Sequence, residues 1–256
     1  MNFKTVIKLT ICFGLLISFY SVKAQKNDYT KGNLHGKLKS IKETSYVVNN
    51  GKIIKDSVEY SYVNEFNNWG NKNVDTKYAA NGKIEKNYKY KYDSNNNRIE
   101  ESQYDADGKL MRTITYKYNG NGNLTEDSSV SGEGKSDKTI KYTYDTQGNI
   151  SEDNSYGAEG KLLKKFTYKY DSKGNKIENC KYDADGKLDR KSTYSYDEQN
   201  NAIVESAFKP DNTVSKKTTY SYEYDEQNNW ITKTATIDGK IVSKLERVLV
   251  YFLIFE

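Results

Sequence analysis

In KKFTYKYD, residues 164–171, polar and apolar positions alternate: Lys164, Phe166, Tyr168 and Tyr170 share one face of an extended chain, and Lys165, Thr167 and Lys169 share the other. Period-two alternation marks a sheet with one covered side, and tyrosine, threonine, isoleucine and valine favour strands. The pattern recurs. The second tyrosine of each Y-x-Y-D falls at Tyr92, Tyr118, Tyr144, Tyr170 and Tyr196, a spacing of 26 residues. Phe66 takes the same place one period earlier, in FNNWGN, and Tyr224 follows Tyr196 by 28, in YSYEYDEQNNW. That makes seven units, with GKLKSIKETSYVVNNGKIIKDSVEYSY ahead of them as a degenerate opening copy.

Each unit contains two turns, exemplified by Asp171–Asn175 and Asp183–Lys187. Aspartate opens such a turn by accepting bonds from backbone amides downstream, and glycine closes it at positive φ. Where glycine is missing the chain uses Asn96, Asn200, Asn228 and Asn212, and asparagine is the side chain that best tolerates the left-handed region. About nine residues separate the turns, enough for roughly 30 Å of strand. The expected fold is all-β: antiparallel hairpin repeats making about 16 strands. Flat sheets rarely exceed roughly 10 strands, so a long, curled or coiled meander is expected, with its tyrosine face inward.

Y-x-Y-D-x-x-G-N followed by a Y-D-x-D-G-K-L turn, as in YKYDSKGNKIENCKYDADGKL (residues 168–188), resembles the YD repeats of the Rhs and teneurin families over about residues 60–246. The resemblance implies a spiralling β-shell and a link with carbohydrate binding. In large members the shell encloses a toxic C-terminal domain. This chain departs from them in having few repeats, no domain after the last unit and no Asp-Pro-Gly segment. Toxin delivery is therefore not implied, although a role as interaction or neutralising partner of an Rhs-like system, or as a shell remnant, is the alternative reading.

The N-terminus changes the compartment. Lys4 and Lys8 precede the apolar run LTICFGLLISFY and the site Val22-x-Ala24, the plan of a secretory leader cut before Gln25. The expected organisation is a leader over 1–24, an N-terminal segment and degenerate capping repeat over 25–59, the repeats over 60–246, and an apolar closing strand over 247–256. The location is periplasmic, secreted or at the cell surface, with no transmembrane segment once the leader is gone. The leader holds three of the 40 basic residues, leaving 37 against 35 acids. Intermingled signs at near neutrality argue against nucleic acid as a partner. One cysteine, Cys180, remains, so no internal disulfide framework exists.

Catalytic chemistry is sparse, and the chain reads as a non-enzyme needing no cofactor or metal. His35 is the single histidine, near the mature N-terminus. Cys180 stands in a column otherwise holding Thr76, Ser102, Ser128, Asn154, Ser206 and Thr234, so a small side chain is what that position requires. DADGK lacks the remainder of a calcium loop. Two charge columns recur instead. Lys86, Arg112, Lys138, Lys164, Arg190, Lys216 and Lys244 lie twenty residues after the phase residue, and Glu100, Glu126, Glu152 and Glu178 lie eight after it. Folding the second turn is expected to bring these columns together as a cross-strand ladder. The candidate ligand surface is a groove formed by Lys86, Arg112, Lys138, Lys164, Arg190 and Lys216 with Tyr116, Tyr142, Tyr168 and Tyr194. It suits an extended polysaccharide or an acidic polymer, and an envelope protein is the other partner class.

Overall fold

A computed structural model of the chain describes residues 27–253. The leader expected at 1–24 and the last three residues of the closing strand lie outside the described residues. A short helix, α1 (Asp28–Lys31), precedes sixteen strands. They are β1 (Leu38–Asn49), β2 (Lys52–Phe66), β3 (Lys72–Ala79), β4 (Ile84–Tyr92), β5 (Arg98–Asp105), β6 (Leu110–Tyr118), β7 (Leu124–Ser131) and β8 (Ser136–Tyr144). There follow β9 (Ile150–Gly157), β10 (Leu162–Tyr170), β11 (Lys176–Asp183), β12 (Leu188–Tyr196), β13 (Ala202–Phe208), β14 (Val214–Tyr224), β15 (Trp230–Ile237) and β16 (Lys240–Tyr251).

The turns form as their residues require. Asp171 N–H donates to Asn175 O at 2.9 Å and Gly174 N–H to Asp171 O at 3.0 Å. The Asp171 carboxylate accepts from the amides of Lys173 and Asn175 at 2.9 and 2.8 Å. Gly174 and Gly186 have φ of 82° and 80°, and Asn96, Asn200, Asn212 and Asn228 have φ of 61–62°. The Asp183 carboxylate is likewise engaged by the amides of Asp185 and Lys187, at 3.0 and 2.9 Å.

The open, coiled meander is corrected: every strand pairs with its neighbour and β16 returns to pair with β1, giving a closed antiparallel barrel. At the seam Ile41 faces Leu249 and Ser45 faces Leu245. The physical reason is the pair of free edges. β1 and β16 are each 12 residues long and carry much of the chain's aliphatic content, and an unpaired edge of that kind is adhesive. Closure satisfies both edges. The hairpin repeat specifies neighbour pairing, which a spiral and a barrel share equally.

The 26-residue period also runs further than the sequence implies. The hydroxyls of Tyr118, Tyr144, Tyr170, Tyr196 and Tyr222 each donate to the carbonyl twenty residues earlier, at 2.7–2.9 Å. Tyr222, not Tyr224, is therefore the seventh phase residue, and β14 runs two residues longer before its turn.

The tyrosine face lines the lumen. Leu38, Ile41 and Phe66, 0–5 % exposed, form the main apolar cluster, with Tyr29 and Leu34 packed on it from inside. This cluster lies at the mouth formed by the Y-x-Y-D turns. Elsewhere, Ala235 apart, the buried lumen positions are polar, among them Asp75, Ser129, Asp153, Ser155, Ser192 and Thr218. The outer face carries cross-strand ion pairs: Lys91–Glu100 at 2.8 Å, Lys117–Glu126 at 2.7 Å and Lys169–Glu178 at 2.7 Å. Cys180 faces outward between Lys and Glu neighbours and is nonetheless buried, with its thiol free.

Candidate functional site in the barrel lumen

Strands β6, β8, β10 and β12, which lead into Y-x-Y-D turns, each present a base, a hydrophobic or small residue and two tyrosines to the lumen, in that order along the strand; β4 and β14 carry a third tyrosine, Tyr88 and Tyr224. The six candidate bases, Lys86, Arg112, Lys138, Lys164, Arg190 and Lys216, all lie on this face, toward the second-turn mouth, as do Tyr116, Tyr142, Tyr168 and Tyr194. They surround a lumen; an open groove along a sheet does not exist. Lys244 departs from its column. It pairs with Thr234 on the outer face and bonds Glu246 at 2.5 Å.

The expected ladder between these bases and Glu100, Glu126, Glu152 and Glu178 does not form. The cause is a β-bulge beside each turn of the repeat, as between Lys169 and Tyr170 at the first and between Lys181 and Tyr182 at the second. A bulge adds one residue and reverses which face the next side chains take. The glutamates therefore point outward, and the residues one further along point in. That inner column is Asp75, Glu101, Asp127, Asp153, Asn179 and Glu205. Tyr90, Tyr116, Tyr194 and Tyr220 donate to Asp75, Glu101, Asn179 and Glu205 at 2.8, 3.2, 3.4 and 2.9 Å. Tyr142 and Tyr168 donate to Asp127 and Asp153. The sequence does hold a signal for this column, an acid or amide nine residues after every phase residue from Phe66 to Tyr196.

Burial sets the protonation of these pairs. It raises the tyrosine hydroxyls, Tyr220 to about 12 with help from Glu205. It also raises the carboxyls of Asp127 and Asp153, against the pull of their tyrosine donors and of Lys138. The lumen carboxylates are thus held in structural bonds.

The first-turn mouth is crossed by the N-terminal segment. Asp28 accepts from Arg98 Nη2 at 2.9 and 3.0 Å, from Lys72 N–H at 2.9 Å and from Tyr92 Oη at 3.0 Å. Burial alone would raise the Asp28 carboxyl; the Arg98 charge and the Lys72 amide outweigh it and hold it below the ordinary range. Across the mouth, Asn33 donates to Gln199 O at 2.7 Å. His35, expected near a loose terminus, is instead clamped by Asn229 through its N–H and carbonyl, both at 2.8 Å.

Between β11 and β16 the lumen opens into a cavity of about 490 Å³. Arg190, Lys216 and Lys233 line it with Glu205, Tyr194 and Tyr220. Lys233, absent from the expected site, lies 4.4 Å from the centre of the Tyr220 ring. Burial disfavours its charged form, against the pull of Glu43. Among the described residues no group of three or more His, Cys, Asp or Glu side chains is placed to hold a metal ion.

No family model matches the chain, and no curated protein matches it. Among solved structures it is similar to a porin-like protein from Bacteroides uniformis, with a TM-score of 0.56 at 12% identity, covering 83% of this chain and 96% of that one. A porin-like protein from Bacteroides vulgatus aligns with a TM-score of 0.33 at 11% identity, over 85% of this chain and 100% of that one. The Photorhabdus luminescens Tc holotoxin pore aligns with 75% of this chain but 10% of its own, with a TM-score of 0.33 at 16% identity. The YD-repeat resemblance is therefore corrected. The repeats build the wall of a closed barrel whose fold is similar to that of the Bacteroides uniformis porin-like protein.

Proposed function

We propose that the chain is an exported, non-catalytic binding protein of the cell envelope, a barrel that stands in water and takes its ligand inside. The outer face is the observation that carries this reading. Strands of eight or nine residues approach the length needed to cross a bilayer, but a lipid-facing barrel also needs an apolar band about 25 Å tall. Here the outward positions at mid-strand include Lys89, Lys91, Glu100, Lys117, Glu126, Lys141, Glu152, Lys165, Lys169 and Glu178. Lysine facing lipid at the midplane costs about 2–4 kcal/mol per residue. The fold is porin-like; the chemistry of its outer wall is that of a water-facing surface. The leader expected at 1–24 supports export, and the segment across one mouth supports a cup in place of a channel. Tyrosine rings and unpaired bases inside suit a hydroxylated ligand, and a glycan is the class that fits both.

Fractionation tests this reading. Envelopes from expressing cells, washed in alkaline carbonate, are expected to release the protein into the supernatant. Retention in the outer-membrane pellet alongside integral barrels would contradict it.

A further inference from the structure

We infer that the cavity between β11 and β16 is an anion site for a short acidic saccharide, one or two sugar units carrying a carboxylate. This rests on the reading of the lumen as a ligand site. The repeat itself points there. Around most of the wall the inner column is acidic, through Asp75, Glu101, Asp127 and Asp153, and balances the bases Lys86, Arg112, Lys138 and Lys164 of the same lumen face in number. The column breaks in two places. Asn179 is neutral, and Lys233, at the corresponding distance from its turn, reverses the sign. Both line the cavity.

The result is three cations, Arg190, Lys216 and Lys233, around one carboxylate, Glu205, which already accepts from Tyr220 Oη at 2.9 Å. Among the described residues none of the three cations has an ion-pair partner within 4 Å. Arg112 of the same basic column, by contrast, is neutralised by Asp137 at 2.6 Å. Unneutralised cations converging on a concave space attract an anion more strongly than they would on a flat wall, because low-dielectric surroundings focus the field. The cavity, about 490 Å³, falls within the usual range for small-ligand sites, roughly 300–1,000 Å³. Tyr194 and Tyr220 supply ring faces, and Ser192 and Thr218 supply hydroxyls. Arg190 and Lys216 are exposed toward the second-turn mouth, which gives the ligand its way in, since the opposite mouth is crossed by residues 27–36. The size of the cavity also limits length. A repeating open surface would gain affinity with each added sugar, whereas a single cavity of this volume saturates.

Calorimetric titration of the mature chain with galacturonic acid, digalacturonic acid, longer oligogalacturonates and neutral galactobiose tests the assignment. The acidic mono- or disaccharide is expected to bind at least about tenfold more tightly than galactobiose, with no gain beyond two units. Arg190→Gln and Lys216→Gln, both at exposed positions, are each expected to weaken it by roughly tenfold, the scale of one charged hydrogen bond. Lys89→Gln, exposed on the outer face of β4, is expected to leave it unchanged. Melting curves for each variant separate lost binding from lost folding. Equal binding of acidic and neutral sugars would overturn the anion site while leaving a lumen that binds saccharide. Acidic sugars bound equally by the Arg190 and Lys216 variants would move the site elsewhere. Absence of binding to every sugar, with the chain folded, would overturn both the site and the saccharide reading beneath it.

Discussion

The smallest repeated device is the tyrosine that reaches one strand back to an acid. In Tyr168–Asp153 the donor fixes the carboxylate's position, and burial raises the carboxyl against the bond and the charges of Lys138 and Lys164. The sign of the pH effect follows. A raised native pKa means that the folded chain keeps this proton when the unfolded chain has lost it, so stability falls as pH rises from the ordinary aspartate value of about 3.9 through the raised one. Asp153→Asn keeps an oxygen acceptor and removes the charge, as Asn179 does naturally. The variant is expected to match the parent in melting temperature near pH 3 and to gain on it at pH 7. A difference independent of pH would contradict this. The turn residues were legible at this scale because a positive φ admits few side chains, so Gly174, Gly186 and Asn96 declare their own geometry. The acid column is written in the sequence as a spacing, but its pairing with the tyrosines is not, since a hydroxyl gives no sign of which carbonyl or carboxylate it will reach.

At the scale of the element, the bulge and the N-terminal segment decide what the lumen contains. Counting alternate residues predicts the face correctly only until a residue is inserted. The bulge beside each first turn transfers Glu100 and Glu178 to the outside and brings Glu101 and Asn179 in, which is why the basic column was legible and its acidic neighbours were assigned wrongly. The N-terminal segment was illegible for another reason: its contacts to Arg98, Gln199 and Asn229 are long-range, and its sequence has no periodic pattern. Gly70 offers a direct probe of its docking. A Cβ there would lie 2.6 Å from Tyr29 Cδ2 and 2.8 Å from Asn27 Nδ2, while one at Gly82 meets nothing within 4 Å. Both glycines have nearly the same φ, 77° and 75°, so alanine imposes similar backbone strain at each. Gly70→Ala is expected to cost about 1–3 kcal/mol more than Gly82→Ala in chemical denaturation, the scale of an overpacked contact. It is also expected to speed amide exchange in residues 28–34. Equal costs would mean that the segment does not occupy the mouth.

For the molecule as a whole, the sequence carried the number of hairpins and their sequential pairing, because both are local. It did not carry closure, which depends on whether two edges more than 200 residues apart meet in register. The apolar character of Leu38, Ile41, Leu245 and Leu249 was visible, but it fits an edge covered by any partner. Closure turns the tyrosine face into a lumen, puts the Lys–Glu pairs on the outer wall and sets the cationic cavity inside, so the remaining claims depend on it. The most direct measurement is a seam cross-link. Lys42 and Val248 are Cα partners across β1 and β16, both exposed on the outer face. Either type of antiparallel pair, at roughly 4.5 or 5.5 Å between Cα atoms, lies within disulfide reach. In mature chain carrying Cys180→Ser, the pair Lys42→Cys and Val248→Cys is expected to oxidise to a monomer of faster mobility on a non-reducing gel at low protein concentration. A control pairing Lys42→Cys with Lys169→Cys is expected not to close. Failure of the seam pair to bond, or bonding only between molecules, would contradict the barrel and return the chain to an open sheet.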